Sequence, residues 1–237
     1  MMPTVLGNVK WAEKALAFLN KPIKMIQTDK PAIIYLRHSK ADYSKFKKPS
    51  DGTLTEEGEK AALEFGELLP ENYRYRIFHS SYPRARITAE KIHQGLINRN
   101  VKSEILGTQP CLIFSNSKDQ QIAAYLKRDG EHAFLYNWLS GRYPPKDVEP
   151  APDLAKRSAF IVTRNLRESS PGTIDLYLTH DIIIAPIMFH WFGACLPKEW
   201  NGPLDGFILQ LFEDKMRYYD KEGKHETFYP HWWGKSE

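Results

Sequence analysis

Two unusually apolar runs stand out along the chain. Ala32-Ile33-Ile34-Tyr35-Leu36 follows Pro31, and Ile174-Asp175-Leu176-Tyr177-Leu178 follows the Pro171-Gly172 turn. Runs of this length with little polar alternation predict strands covered on both faces, as in a parallel sheet. Arg76-Ile77-Phe78-His79 predicts a further short strand, and residues 207–212 another. Residues 216–219 return against that strand across Glu213-Asp214-Lys215 as an edge hairpin.

The stretches between these strands carry helical spacing. Trp11, Ala15, Leu16, Phe18 and Leu19 form the stripe of an N-terminal arm, residues 1–30, which is stopped by Pro22 and packs on the outside of the domain. Thr55 is placed to cap a helix whose first turn holds Glu56 and Glu57. Ala61, Ala62, Phe65, Leu68 and Leu69 give its buried side, and Pro70 ends it. Further helices are predicted over residues 84–97 and 152–168, the second with Ala155, Phe160, Ile161 and Leu166 on its apolar side. Residues 104–150 hold helical pieces at 119–128 and 133–139 and the turn Tyr143-Pro144-Pro145. This stretch reads as a small insertion that either caps a site or only packs; its aromatic residues Phe134, Tyr136, Trp138 and Tyr143 favour a local core over a ligand pocket.

Strands alternating with helices imply one α/β domain over residues 1–237, with a mostly parallel central sheet and helices on both faces. In such sheets ligands bind beyond the carboxyl ends of the strands. Three polar segments fall at those ends: Arg37-His38-Ser39, Ser80-Ser81-Tyr82-Pro83-Arg84, and Thr179-His180-Asp181. A histidine nucleophile, arginine forks matched to phosphate oxygens and a carboxyl acid are what phosphoryl transfer needs. His38 reads as the nucleophile, with Arg37 and Arg84 as the phosphate clamp and His180 as a further donor. Asp181 reads as the acid at the leaving oxygen and then the base for water, or else as an ordinary helix cap. Arg84 is preferred to Arg86 because it lies nearer the turn, and His79, His93, His132, His190, His225 and His231 read as structural or surface residues.

Charge and composition narrow this without changing it. Thirty-three Lys and Arg against 29 Asp and Glu give a net charge of +4, suited to a small anionic substrate and too weak to argue for nucleic acid. The densest basic piece, Lys45-Phe46-Lys47-Lys48, reads as a solvated loop. Two cysteines, Cys111 and Cys195, are too few for a disulfide framework or a Cys-based zinc site, and both are expected reduced and partly buried. No metal or other cofactor is called for. A zinc hydrolase using His38, His180 and Asp181 is the weakest alternative, for lack of ligand spacing. Residues 182–196 are broken by Pro186, His190 and Gly193, so no membrane span is expected. With no signal peptide visible, a soluble, cytoplasmic protein is expected. The cluster Tyr229-Pro230-His231-Trp232-Trp233 either lies at a subunit contact, in a possible homodimer, or tucks back onto the domain.

With those segments in view, the chain resembles the histidine phosphatase superfamily, the phosphoglycerate-mutase-like fold. Leu36-Arg37-His38 is similar to its Arg-His motif, Leu54-Thr55-Glu56-Glu57-Gly58 to its helix start, residues 79–89 to its second-arginine segment, and Thr179-His180 to its second catalytic histidine. The resemblance runs from about Ala32 to Gly193. Arg37-His38-Ser39-Lys40-Ala41 looks like the start of short phosphohistidine-phosphatase-type members, which makes Lys40 a phosphate contact. The resemblance to acid-phosphatase members, which use the Asp of a His-Asp pair, assigns the acid to Asp181, with Glu104 as a weak substitute in the manner of mutase-type members. It implies a metal-independent phosphomonoesterase acting through a phosphohistidine on a small phosphorylated metabolite or a phosphoprotein. Phosphoglycerate mutase-type transfer and a non-catalytic phosphate-binding module are the alternatives.

Overall fold

The computed structural model describes residues 5–44, 49–115, 119–194 and 201–234. Two short helices come first, α1 (Val5–Asn8) and α2 (Glu13–Asn20). Strand β1 (Ala32–Arg37) follows, then the small pair β2 (Ala41–Asp42) and β3 (Thr53–Leu54) and helix α3 (Glu56–Leu68). The chain continues through β4 (Arg74–His79), α4 (Pro83–Asn98), β5 (Ser103–Thr108), α5 (Asp119–Asp129), α6 (Glu131–Leu139) and α7 (Ala151–Arg167). It closes with β6 (Thr173–Thr179), α8 (Asp181–Phe192), β7 (Gly206–Leu211), β8 (Lys215–Asp220) and β9 (Gly223–Phe228).

Seven strands form one sheet in the order β5-β4-β6-β1-β7-β8-β9. The pairs β5/β4, β4/β6 and β6/β1 are parallel, and β7, β8 and β9 extend the sheet in antiparallel steps. Pleating sends alternate residues of β1 to opposite faces. Ile34 and Leu36 enter a core with Ala61, Phe65, Ala89 and Ile92 of α3 and α4, whereas Ile33 and Tyr35 enter a second core with residues of α6, α7 and α8. The result is the three-layer α/β sandwich the sequence predicts. The N-terminal arm is more than an outer layer: Leu6, Ala15 and Phe18 are fully buried in the first core, and Trp11 Nε1 donates to Glu57 of α3 at 2.9 Å.

Several expectations are revised. Residues 104–150 do not form a free-standing cap from the start, because Ser103–Thr108 is the edge strand β5, paired parallel to β4 with a register shift between Ile77 and Phe78. What remains of the insertion is α5 and α6, and Phe134, Trp138 and Tyr143 are core residues there while Tyr136 is exposed. The hairpin after β7 continues into β9, which the polar sequence Gly223-Lys224-His225-Glu226-Thr227-Phe228 does not announce. Phe160 faces outward on α7, although Ala155 and Ile161 are buried as read. The C-terminal cluster tucks back: Tyr229 donates to the Phe212 carbonyl at 2.6 Å, and the Trp233 ring meets Trp191 at 4.9 Å. Cys111 is fully buried, its thiol pushed up to about 12 by that burial; Cys195 and the Lys45–Lys48 segment lie outside the described residues. No helix among the described residues is long and apolar enough to cross a membrane.

One polar contact ties together two of the strands that carry the site. Arg76 of β4 grips Asp175 of β6 with two bonds, Nε to Oδ1 at 2.6 Å and Nη2 to Oδ2 at 2.7 Å, and Nη2 also reaches the Asn165 carbonyl at 3.0 Å. Asp175 is wholly buried, and burial pushes its carboxyl up from the usual carboxylate range against the pull of Arg76. Removing one partner of such a pair strands a buried charge, which costs about 3–5 kcal/mol. Asp175→Ala is therefore expected to lower unfolding stability in urea by about that amount. A loss within about 0.5 kcal/mol, the range of an ordinary surface substitution, would show that the pair does not hold these strands.

Candidate active site

The parallel strands β1, β6 and β4 end level with one another. Arg37 is in register with Thr179, and His79 with Leu178. The ladder then continues one step past each strand: His38 N–H donates to the Thr179 carbonyl at 2.9 Å, and Ser80 N–H to the Leu178 carbonyl at 3.0 Å. Those bonds deliver His38, His180 and Ser80 to one edge of the sheet. Pro83 opens α4 immediately after β4, so Arg84 stands in the first turn of that helix. His180 occupies the N-cap position of α8, and Asp181 is its first residue.

Of the predicted residues, His38, Arg84, His180 and Asp181 line one cleft of about 100 Å³ together with Tyr43, Tyr82, Ile113, Phe114, Ile182 and Ile183, while Arg37 is not among its lining residues and meets it through a pair with Asp181. His38 Nδ1 lies 2.7 Å from the Ser39 carbonyl oxygen, which only accepts, so Nδ1 carries the proton and Nε2 the lone pair. Arg84 Nε–H points at that lone pair from 3.1 Å. The His38 and His180 rings are 5.2 Å apart between centroids. His180 Nε2 shares a 2.8 Å hydrogen bond with Ser80 Oγ. Arg37 Nη1 pairs with Asp181 Oδ2 at 3.0 Å and donates to the Asn201 carbonyl at 2.5 Å. Two buried nitrogens, Arg37 Nε and His180 Nδ1, have no hydrogen-bond partner among the described residues. Buried donors are nearly always satisfied in proteins, and a bound oxyanion is one way to satisfy these.

Burial is the main influence on both imidazoles. It holds His38 well below the ordinary histidine value, and the positive charges of Arg84 and Arg37 push the same way, against the Ser39 bond. His180 is likewise held well below, by burial first and then by His38, Arg84 and Arg37. Both imidazoles are thus shifted toward the neutral form in the free protein. Arg84 is lowered by its own burial from its ordinary value, a shift that leaves a guanidinium charged at any physiological pH.

The loop after β1 is braced by the predicted helix start. Thr55 caps α3, its hydroxyl accepting Gly58 N–H at 2.9 Å, and its backbone N–H donates to the Lys40 carbonyl at 3.0 Å. Ser39 Oγ donates to the Gly58 carbonyl at 2.7 Å, and Ser39 N–H donates to Thr88 Oγ1 of α4 at 3.1 Å. A Cβ on Gly58 would stand 2.2 Å from the Lys40 carbonyl oxygen, so only glycine lets α3 approach the His38 loop this closely.

Three sequence expectations do not fit this geometry. Glu104 lies at the amino end of β5, opposite Arg76 in the register and ion-paired to Arg74, at the edge of the sheet away from His38. A parallel strand puts its first residues far from the site that its last residues face. Lys40 is exposed and is not among the lining residues; what the site uses is its backbone carbonyl. Asp181 is not the cap of α8, though its Oδ1 accepts the Ile182 N–H at 2.9 Å. Arg86 is paired with Glu90 on the outside of α4, as the preference for Arg84 requires. Ser80, Tyr82, Tyr43 and Phe114 were not read as site residues from the sequence. Only Ser80 and Tyr82 carried a signal, through their place between β4 and Arg84. Among the described residues no three His, Cys, Asp or Glu side chains are grouped so as to hold a metal ion.

A sequence model of the histidine phosphatase superfamily (branch 1) matches residues 33–213. The chain belongs to that superfamily. No curated protein matches it. Among solved structures it is similar to the phosphoglycerate mutase of Bacillus anthracis str. Sterne, with a TM-score of 0.58 and 14% identity over 85% of this chain and 94% of that one. It is also similar to a mycobacterial glucosyl-3-phosphoglycerate phosphatase, with a TM-score of 0.56 and 19% identity over 83% and 96% of the two chains. Bacillus stearothermophilus YhfR matches with a TM-score of 0.53 and 19% identity over 84% and 96%. At these identities the structural likenesses establish the shared fold.

The histidine protonation states are directly checkable. In the free histidine phosphatase-like protein, ring-proton NMR titration is expected to find His38 and His180 neutral at pH 6.5, with midpoints well below the ordinary value of about 6.5. A His38 midpoint at or above that value would contradict the burial and charge effects described.

Proposed function

We propose that the protein is a phosphomonoesterase that works through a phosphohistidine at His38 without a metal ion. The observation that carries this reading is the state of His38: a neutral ring whose Nδ1–H is tied to the Ser39 carbonyl at 2.7 Å, leaving Nε2 as the lone pair beside Arg84. A neutral imidazole held by one nitrogen is a ready nucleophile at the other.

In this reading the ester's phosphoryl group enters between His38 Nε2 and Arg84, which exchanges its bond to the ring for bonds to phosphate oxygens. Arg37 and His180 supply further donors, and charge on the equatorial oxygens is offset without reorganisation. The Nε2 lone pair forms the N–P bond as the ester P–O bond breaks, and the departing alkoxide takes a proton from the Asp181 carboxyl. In the second half, water attacks phosphorus, Asp181 accepts its proton, the N–P bond breaks, and orthophosphate leaves with His38 neutral again. Ser80 holds the His180 ring through its 2.8 Å bond and acts as a positioning residue.

The test is turnover on a panel of phosphomonoesters with EDTA present. The wild-type protein is expected to release phosphate, His38→Ala to lose on the order of 10³-fold or more in kcat while keeping its circular dichroism spectrum, and Asp181→Asn to lose about 10²–10⁴-fold. Retained turnover in His38→Ala, or activity only on addition of a divalent metal, would overturn the proposal.

A further inference from the structure

We propose, resting on the phosphomonoesterase reading, that the substrates of this cleft are esters of an aromatic or compact apolar alcohol, and that Tyr82, Phe114 and Tyr43 select them. The walls above the catalytic floor are apolar and ring-bearing: Tyr43, Tyr82, Ile113, Phe114 and Ile182. These side chains come from three separate loops and one helix start, and the rings are fixed by contacts to other elements.

Tyr82 shows this most clearly. Its hydroxyl donates to Asp119 Oδ1 of α5 at 3.3 Å, so the polar tip is already engaged at the insertion. The ring itself stands 4.9 Å from the His180 ring and 4.7 Å from the Arg84 guanidinium. Phe114 is backed by Trp138 of α6, ring to ring at 5.1 Å, and Trp138 is in turn anchored through its indole N–H to the Glu149 carbonyl at 2.6 Å. The Tyr43 ring also lies 5.4 Å from the Arg84 guanidinium. Gly52 makes room for it, since a Cβ there would come within 2.6 Å of Tyr43 Cδ1. The insertion thus takes part in the site by orienting Tyr82 and Phe114, although its own aromatic residues form a core.

Among the described lining residues the polar side chains are those of His38, Arg84, His180 and Asp181 and the tyrosine hydroxyls, and the proposed chemistry uses the first four at the phosphoryl group. A sugar or glycerate leaving group would carry hydroxyls or a carboxylate against Ile113, Phe114 and Ile182, where a buried polar group without a partner is penalised. An aromatic or branched apolar group is instead taken out of water against rings that already exist, as small-molecule sites generally do.

The test compares benzyl phosphate with glycerol 1-phosphate, both esters of primary alcohols, so that intrinsic leaving-group reactivity does not decide the result. In wild-type protein kcat/KM is expected to favour benzyl phosphate by about tenfold or more, the discrimination that apolar contacts of this size give. Phe114→Ala is expected to shrink that ratio severalfold by raising KM for benzyl phosphate. His38→Ala, used as a non-turning form, is expected to bind benzyl phosphate more tightly than glycerol 1-phosphate in calorimetry. Equal or reversed preference in both turnover and binding, with turnover still dependent on His38, would overturn the substrate class and leave the phosphomonoesterase reading standing. Preferential binding of benzyl phosphate without turnover of either ester would overturn the enzyme reading and leave the ligand class standing.

Discussion

The site depends on three parallel strands ending at the same level. Register places Arg37 beside Thr179 and His79 beside Leu178, and one further ladder bond on each side brings His38 and Ser80 to the two flanks of His180. A slip of one residue in any of these strands would turn its side chains to the other face of the sheet, exchanging the contents of the two cores and dispersing His38, Ser80 and His180. The buried Arg76–Asp175 pair joins β4 and β6 at mid-strand, and the apolar alternation of β1 feeds both cores. Stability and site geometry are therefore consequences of one register.

The electrostatic character of the site follows from where those strands end. Imidazoles at buried strand ends between two arginines stay neutral, which is the form a nucleophile needs. The same burial denies the arginines water, so an anion that enters gains more from them than it would at the surface. The contacts of Ser39, Gly58 and Thr88 hold the His38 loop from two helices, so the His38 ring is positioned by packing.

Much of this was legible in the sequence, and the reasons differ from element to element. β1 and β6 were visible because central strands covered on both faces must be apolar throughout, and the polar residues directly after them marked the site. The start of α3 was visible because Thr55 and Gly58 are chemically required there, one as a cap and one for close approach. β5 and β9 were not visible because edge strands pack on few neighbours and tolerate sequences such as Ser103-Glu104-Ile105-Leu106-Gly107-Thr108. Missing β5 also made Glu104 look available as an acid, when strand direction carries it to the far edge. The ring walls were hidden for another reason: Tyr43, Tyr82 and Phe114 are distant along the chain, and their shared orientation comes from partners such as Gly52, Asp119 and Trp138 that no local pattern links to them.

The most direct measurement is mass spectrometry of peptides from a reaction quenched during turnover of a phosphomonoester, with digestion kept alkaline to preserve phosphoramidate. The account predicts one phosphoryl group on the peptide holding His38, labile to acid and absent from the His38→Ala variant. Turnover with no phosphorylated peptide under trapping conditions, or a phosphoryl group on a different residue, would contradict it.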